Sequence, residues 1–493
     1  MYELKTGRPF FPGGSSKGEN MNFEKHLKES RLAKVSLIML IIDMIACLYI
    51  AMQFFRYTGT GAGICAMIAV AAVGALLFLC NVKKTKAAII IEVILAAALI
   101  VAVMLVLRIN SLTGAIGRTT QYEAVQIVTL KDSEIEPEDD LSGQVLGYAN
   151  DDEGAYEKSS EILVENDKQV KESHPYADTR TMYSELVAGN AQMMVLTSNT
   201  RSDMTLIDEE YQDKIKVLFE KRYPLEEVEV KPVDISSEPF TVYLCGADLS
   251  AGEDITSTGR GDVNILLTVN PNTSKVNLQV IPRDTLVYIP CRGGSSKLSY
   301  SGWWGGVQSS IDSIEDKFGI EINYYAKINF NGLVDLVDAL GGVTVNSHYT
   351  YSAGGYTFYK GENYVDGEKA LMFVRARKML PENELSRGQH QMELIKGIFR
   401  KFAENPDYES SMAVLNGLED NFVTNIPESD FYKVFELVVK LLPELETMEN
   451  HTISGTYEWH YDEVREGYYQ YYFYPDDGEV EKVRDRIEQV LEG

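Results

Sequence analysis

Five arginines stand where strands and helices are expected to end: Arg260, Arg283, Arg375, Arg377 and Arg387. A guanidinium fork pairs bidentately with phosphate oxygens, and sites for such anions favour several forks converging. Spacing sharpens the picture. Arg375 and Arg377 in "FVRAR" share a face only where the chain is extended, which places both just past a helix end. Arg387 and Gln391 lie four apart and share one face of the following helix. Asp248 follows one predicted strand and Asp262 precedes another, and two carboxylates at one sheet edge could hold a hard cation such as Mg²⁺. Together the arginines and carboxylates suit the binding of a phosphate-bearing anion. No residue stands out as a general base.

Each of these residues also has a plainer reading. Arg/Asp neighbours commonly make surface or structural ion pairs, and for any one of them alone that reading carries more weight. Lys297 in "SSKLSY" reads alone as a solvated lysine. Arg260-Gly261-Asp262 spells an adhesion tripeptide, but it abuts a strand built for burial rather than a mobile loop tip, so adhesion is set aside. The six histidines show no ligand spacing, and no serine sits in a nucleophile elbow.

The elements that must position these residues follow from periodicity. "FTVYLCGAD" is a short buried strand. Val263, Ile265, Leu267 and Val269 alternate onto one face of a second strand, "NPNTSK" supplies the turn, and "VNLQVIP" returns as a hairpin partner. "SIDSIEDKFG" predicts a helix closed by Gly319, and "NYYAKIN" a strand. "FNGLVDLVDALGG" predicts an amphipathic helix stopped at Gly341. Helices follow over "DGEKALMFV" and from about Arg387 to Phe402. The Tyr-rich "GYYQYYFYP" is expected to be a half-buried strand near the domain's edge; stacking on sugars is the less favoured reading. The order of elements gives a layered α/β domain over residues 240–493 with a central mixed sheet. Residues 120–232 alternate strands and helices as a small α/β accessory domain outside the membrane, "KPVDISSEP" being the linker.

The chain of 493 residues carries 46 Lys and Arg against 73 Asp and Glu, a formal charge of −27. Residues 1–110 hold 12 basic and 6 acidic side chains, so the remainder carries −33. A polyanionic remainder argues against nucleic acid, and any anionic ligand must be held by a local arginine cluster. Three apolar stretches, from about Val35 to Phe55, Ala62 to Leu79 and Ala87 to Leu107, can each cross a hydrocarbon core of about 30 Å. Lysines before the first stretch and between the second and third put the N-terminal segment 1–33 inside and everything after Arg108 outside, with three transmembrane helices in residues 34–110. Asp43 and Glu92 interrupt these spans. Cys245 and Cys291 lie on the exterior side, where a disulfide could persist, and the sequence leaves their pairing open.

The segments "GADLS", "GRGDVNILLTVNPNTSKVNLQVIPRDTLVYIP", "KLSY", "DLVDALGGVTV", "DGEKALMFVRAR" and "LSRGQHQ" occur in an order that resembles the LytR-CpsA-Psr (LCP) family, over about Phe240 to Phe402. The resemblance implies a membrane-anchored phosphotransferase of Gram-positive bacteria. Such enzymes move a glycopolymer (teichoic acid, capsule polysaccharide or a related polymer) from a polyprenyl-pyrophosphate carrier to peptidoglycan, with Mg²⁺ on the pyrophosphate and the lipid in an apolar tunnel between sheet and helices. Carried over, Asp248 and Asp262 resemble the metal-site acids. Arg283, Arg375, Arg377 and Arg387, with Gln391, resemble the pyrophosphate set, Asp284 follows the motif arginine, and Lys297 looks like the basic position after it. Arg260 joins the substrate-binding group.

The family's "D-F-G-R-x-x-R-Q" stands here as "ELSRGQHQ", with Glu384 in place of Asp and His390 in place of the second Arg. Beside phosphates, the His390 imidazole would favour its protonated form; the equally weighted alternative is that it faces away and merely packs against the next helix. "GRSDT" is "GRGDV" here, without a hydroxyl after Asp262. Two rival functions share the same residues: a polyprenyl-pyrophosphate hydrolase, and a non-catalytic envelope receptor for an anionic lipid.

Overall fold

The computed structural model describes residues 38, 41–53, 68, 72, 86–150, 152, 154–208, 210–249, 253–404, 408–447, 451–464 and 469–493. The chain divides into two compact units, Met1–Ser111 and Leu112–Gly493. Among the described residues one helix segment, Ala96–Ile116, is long and apolar enough to cross a membrane, with a mean hydropathy of 2.0. The first apolar stretch contains a shorter helix, Ile41–Gln53, which carries Asp43. The stretch from Ala62 to Leu79 lies almost wholly outside the described residues, as does the side chain of Glu92.

The second unit holds two five-stranded sheets. The first comprises β1 (Tyr122–Leu130), β2 (Val145–Ala149), β3 (Glu172–Tyr176), β4 (Met193–Leu196) and β5 (Ile215–Pro224), in the order β3-β2-β4-β1-β5. Helices Ala155–Glu165 and Thr179–Val187 alternate with these strands along the chain, as the sequence indicates for this region.

The second sheet is built from β6 (Phe240–Asp248), β7 (Arg260–Asn270) and β8 (Lys275–Val280), joined later in the chain by two more strands. Between come β9 (Leu286–Ile289) and β10 (Gly294–Lys297), a small hairpin. Then follow β11 (Tyr324–Asn329), β12 (Val343–Ser347), β13 (Tyr351–Ala353), β14 (Tyr356–Phe358), β15 (Gly361–Val365) and β16 (Phe422–Thr424). The order is β16-β11-β6-β7-β8, with β11 parallel to β6 and every other pair antiparallel, so the sheet is mixed. The chain ends in a two-stranded ribbon, β17 (Gly455–Tyr461) and β18 (Tyr469–Pro475), and the helix Glu479–Glu492.

The alternation expected along β7 is what divides the core into two layers. Val263, Ile265, Leu267 and Val269 face the helices Glu384–Glu404 and Phe431–Thr447. Leu266 turns to the opposite layer, with Tyr243 and Cys245, under the helices Leu298–Phe318 and Glu479–Glu492. The helix Leu298–Phe318 is longer than its apolar run suggests, because it continues across a kink where Gly306 adopts φ 64°, a left-handed conformation that suits glycine. It ends at Gly319, as the sequence indicates. The helix Phe330–Ala339 begins with the Asn329 side chain accepting from the Gly332 amide at 2.8 Å. Cys245 and Cys291 are both free, the first buried and the second exposed.

Candidate active site

The motif "IPRDT" is a tight turn between β8 and β9. The Thr285 amide donates to the Pro282 carbonyl at 3.0 Å, and the Thr285 hydroxyl reaches the same oxygen at 2.6 Å. The amides of Leu298 and Ser299, which open the long helix, donate to the carbonyls of Thr285 and Arg283 at 2.9 Å each. Orphan amides of a helix start are thereby used to fix the turn that carries Arg283 and Asp284.

Asp262 lies within β7 rather than before it, and the reason is a β-bulge. Gly246 pairs with Val263 and Ala247 with Gly261, which leaves Asp262 as the extra residue. A bulge re-aims a side chain and is common beside active sites. Here it turns Asp262 into the same cavity that its neighbour Val263 lines. Arg283 Nη1 meets Asp262 Oδ1 at 2.7 Å, and Arg260 Nη2 meets Asp248 Oδ2 at 2.8 Å. The tripeptide Arg260-Gly261-Asp262 is thus paired sheet, which removes the adhesion reading.

Asp284 is buried and takes Lys297 Nζ at 3.1 Å on one oxygen and Arg377 Nη2 at 3.3 Å on the other. Lys297 is therefore no free surface lysine. Arg375 is the last residue of the helix Gly367–Arg375, and Ala376 at ψ 124° extends the chain so that Arg377 follows outside it. The sequence reading put both arginines past the end; the helix runs one residue further. Arg375 lies 4.6 Å from the centre of the Phe330 ring. Arg387 and Gln391 face the cavity together from one side of the helix Glu384–Glu404. That helix lies close on the sheet because residue 388 is glycine: a Cβ there would come within 3.0 Å of Val280.

Glu384 was noticed in the sequence only as a departure, yet it is central to the geometry. Its side chain is buried and bridges two clamp arginines, pairing with Arg387 through one oxygen and with Arg377 Nε at 3.0 Å through the other. Tyr457, from β17, is a second residue the sequence did not single out. Burial first, then the charges of Glu384 and Asp284, push its phenol above the ordinary range, opposed by Arg377 and Arg387.

His390 does not belong to the clamp, contrary to the expectation from its place in the motif. At about 100° per residue, His390 lies on the far side of Arg387 from Gln391, about 100° round the helix from the latter, and it does not line the cavity. The imidazole is fully buried and stacked against Phe373 (ring centres 4.2 Å apart) and Tyr351 (5.3 Å). Burial, followed by the proximity of His348, pushes its pKa down to about 4, so it is neutral at working pH.

The site combines a cavity of about 410 Å³, apolar along most of its length, with charge at one end. Leu244, Ile265 and Ile328 from the sheet face Leu333, Leu394 and Phe399 from the helices, while Asp262, Arg283, Arg375, Arg377 and Arg387 line the charged end. Burial works against the Arg283 guanidinium, but the charges of Asp262, Asp284 and Glu384 hold it firmly protonated. The Nε groups of Arg260, Arg283 and Arg387 are buried with no acceptor among the described residues. Buried donors of this kind demand a partner, and an anion with many oxygens supplies one.

The two carboxylates suit a hard cation. Asp248 and Asp262 each give one oxygen to an arginine, and the other oxygen has no protein donor among the described residues. Burial and then the neighbouring Asp262 raise the Asp248 carboxyl. Asp262, despite burial, is held below the usual range by Arg283, Arg260 and Arg387. Mg²⁺ is commonly held by one or two carboxylates together with substrate phosphates and water, so this donor set fits it.

An α/β domain that sets an arginine clamp at the mouth of an apolar cavity has the makings of a site for an amphiphile, with charge to meet a polyanion at one end and apolar walls to meet a hydrocarbon at the other. The chain belongs to the LytR-CpsA-Psr family, whose sequence pattern matches residues 193–489. That match begins within β4, earlier than the motifs alone suggest. The polyisoprenyl-teichoic acid–peptidoglycan teichoic acid transferase TagU of Bacillus licheniformis is 36% identical over 203 residues, 41% of this chain and 65% of that protein. TagU of Bacillus subtilis is 33% identical over 227 residues, 46% of this chain and 72% of that protein. The crystal structure of B. subtilis TagU covers 52% of this chain and 98% of its own, at 29% identity and a TM-score of 0.42.

Proposed function

We propose that this protein transfers a glycopolymer from a polyprenyl-pyrophosphate carrier to peptidoglycan. The observation that carries the reading is the pair of buried, unpartnered Nε donors of Arg283 and Arg387 at the charged end of the cavity. The pyrophosphate would sit on these guanidinium groups and its isoprenoid tail in the apolar length. Relatives named as transferases of teichoic acid to peptidoglycan supply the direction of transfer.

In this scheme an acceptor sugar hydroxyl attacks the phosphorus that bears the polymer. Its bond to the bridging oxygen breaks, polyprenyl phosphate leaves, and the hydroxyl proton is released. Arg283, set by the "IPRDT" turn and Asp262, orients the pyrophosphate. Arg375, Arg377 and Arg387 stabilise the charge that gathers on the leaving group. Asp284 and Glu384 position the clamp: the first orders Lys297 and Arg377, the second Arg377 and Arg387. Asp248 and Asp262 would hold Mg²⁺, which supplies further neutralisation of the pyrophosphate oxygens.

The three apolar stretches before Arg108 would anchor the protein as three helices and hold residues 112–493 outside the cell, within reach of a substrate that cannot leave the bilayer. Transfer of radiolabelled polymer from purified lipid-linked donor to peptidoglycan tests the reading. Release of free polymer with no transfer would make the protein a hydrolase, and lipid binding without turnover would make it a receptor.

A further inference from the structure

Among the described residues of the second unit, the C-terminal ribbon carries the largest group of exposed aromatic rings that the clamp does not use. In the register of β17 and β18, Tyr457 faces Phe473, Trp459 faces Tyr471 and Tyr461 faces Tyr469, so all six rings share one face. Consecutive rings touch along this face. Tyr457 stacks on Tyr471 at 5.1 Å, Tyr471 lies 5.4 Å from Trp459, Trp459 stacks on Tyr469 at 5.7 Å, and Tyr469 meets Tyr461 at 4.9 Å. Exposure climbs along the way, from buried Phe473 to Trp459 at 59% and Tyr461 at 66%.

The inner end of this row belongs to the clamp. The Phe473 amide donates to the Asp284 carbonyl at 2.8 Å, and the Tyr457 phenol lies among the charges of Glu384, Asp284, Arg377 and Arg387. The opposite face is tied to the domain: Ser296 donates at 2.5 Å to Asp462, a carboxylate also held by Tyr472 and Gln470 of the ribbon, and Tyr300 donates to Gln470 at 2.8 Å. The aromatic face is therefore held firmly in place and open to solvent.

Flat, apolar rings with polar edges, held in a row, match the C–H faces of pyranose sugars. Charge selects among sugar polymers. Exposed Glu458, Glu463, Asp476 and Asp477 border the ribbon and repel a polyphosphate chain such as the donor polymer. The same acids oppose contact with an anionic bilayer surface, which attracts basic segments.

We propose that the exposed face of Trp459, Tyr461, Tyr469 and Tyr471 is a track for an uncharged β-linked N-acetylhexosamine glycan, the acceptor, and that it leads this strand to the clamp. The acceptor role rests on the transfer reading above; glycan recognition by the ribbon does not.

The test uses the full chain in phosphatidylcholine nanodiscs, with an uncharged β-1,4-linked N-acetylglucosamine hexamer as the probe in isothermal titration. Trp459→Ala and the double variant Tyr461→Ala/Tyr469→Ala should weaken hexamer binding at least about tenfold, with melting unchanged. Trp459→Phe, which keeps a ring, should restore most of it. In the transfer assay the same variants should raise the KM for acceptor glycan while leaving cleavage of the donor pyrophosphate at its wild-type rate. Wild-type protein that does not bind the hexamer, or alanine variants that bind it unchanged, would overturn the track. So would variants that lose only association with anionic vesicles, since the face would then be a membrane contact. Hexamer binding through Trp459 without any polymer transfer would refute the transfer reading and leave the track standing. Transfer at unchanged acceptor KM in every variant would do the reverse.

Discussion

Arg283 and Asp262 meet at 2.7 Å across the β-bulge of β7, and both line the charged end of the cavity. The turn fixes one partner and the bulge the other, so the geometry of the pair is decided by backbone rather than by side-chain freedom. Arg283→Lys keeps the charge and loses the fork. It should lower kcat/KM for transfer by about 100-fold, a loss typical of removing one preorganised donor to a transition state. Melting should stay close to wild type, since Lys can still pair with Asp262. Near wild-type turnover in this variant would remove Arg283 from the clamp.

His390 gives a prediction opposite to the one its motif position suggests. The unfolded imidazole titrates near 6.5 and the folded one near 4, so protons favour the unfolded state between these values. The stability this residue contributes is complete above about pH 6.5 and falls as pH drops toward 4, by about 3 kcal/mol in all. Wild-type Tm should decline over this window more steeply than that of His390→Phe. The pH–rate profile between about 6 and 8 should be the same in both, because the imidazole stays neutral there. His390→Arg, which would place a charge among Phe373 and Tyr351, should unfold or express poorly. A profile flattened specifically by His390→Arg would return the residue to the phosphates.

The contrast between His390 and Arg387 shows what the sequence could and could not tell. Strand alternation along β7, the hairpin turn and the glycine helix stops were legible because each is a local signal. The arginines were legible as a set because their motifs are distinctive. Placing His390 required knowing which face of its helix meets the cavity, and a one-residue step changes that face. The bulge at Asp262 depends on how two strands pair, and Glu384 gains its importance only when Arg377, from another element, arrives beside it. Tyr457 comes from a ribbon far along the chain, and no local pattern links it to the clamp. The membrane anchor was read from hydropathy, and the described residues contain one spanning-length segment of the three expected.

Glu384 should be the most important positioning acid. It is buried against Arg387 and Arg377, and removing it takes away the carboxylate that joins them, leaving Arg377 only its longer contact with Asp284. Glu384→Ala should cost about 3 kcal/mol of stability, in the range for breaking a buried pair. Chemical denaturation measures this directly. A loss below about 0.5 kcal/mol, the level of an ordinary surface change, would mean that the pair is not a structural element of the clamp.

Mg²⁺ should stabilise the protein through Asp248 and Asp262. Burial and the adjacent Asp262 raise the Asp248 carboxyl, so its contribution to folding is present at low pH and is lost as pH rises through its folded pKa. A cation that binds the ionised pair restores that loss, and its affinity should increase with pH over the same interval. At magnesium concentrations 100-fold above Kd the gain is about 2.7 kcal/mol, readable as a rise in Tm. Asp248→Asn and Asp262→Asn should each abolish the rise, and EDTA should reverse it in the wild type. A magnesium response that survives both substitutions would place the ion elsewhere.

The apolar length of the cavity should select for the lipid. Leu336 lines it beside Leu333 and Phe422, and Leu336→Trp would fill space that an isoprenoid chain needs. Donors with long polyprenyl tails should then show a KM raised by about tenfold or more, as expected when a hydrophobic pocket loses room for a few methylenes. A donor analogue with a very short tail should be used as well as by wild type, because the arginine clamp at the cavity mouth is untouched. This comparison separates a blocked tunnel from a damaged fold, since misfolding would depress both substrates together. Equal KM values for the long-tailed donor in variant and wild type would show that the tail lies outside the cavity, and the clamp would then have to hold the pyrophosphate of a lipid that never leaves the bilayer.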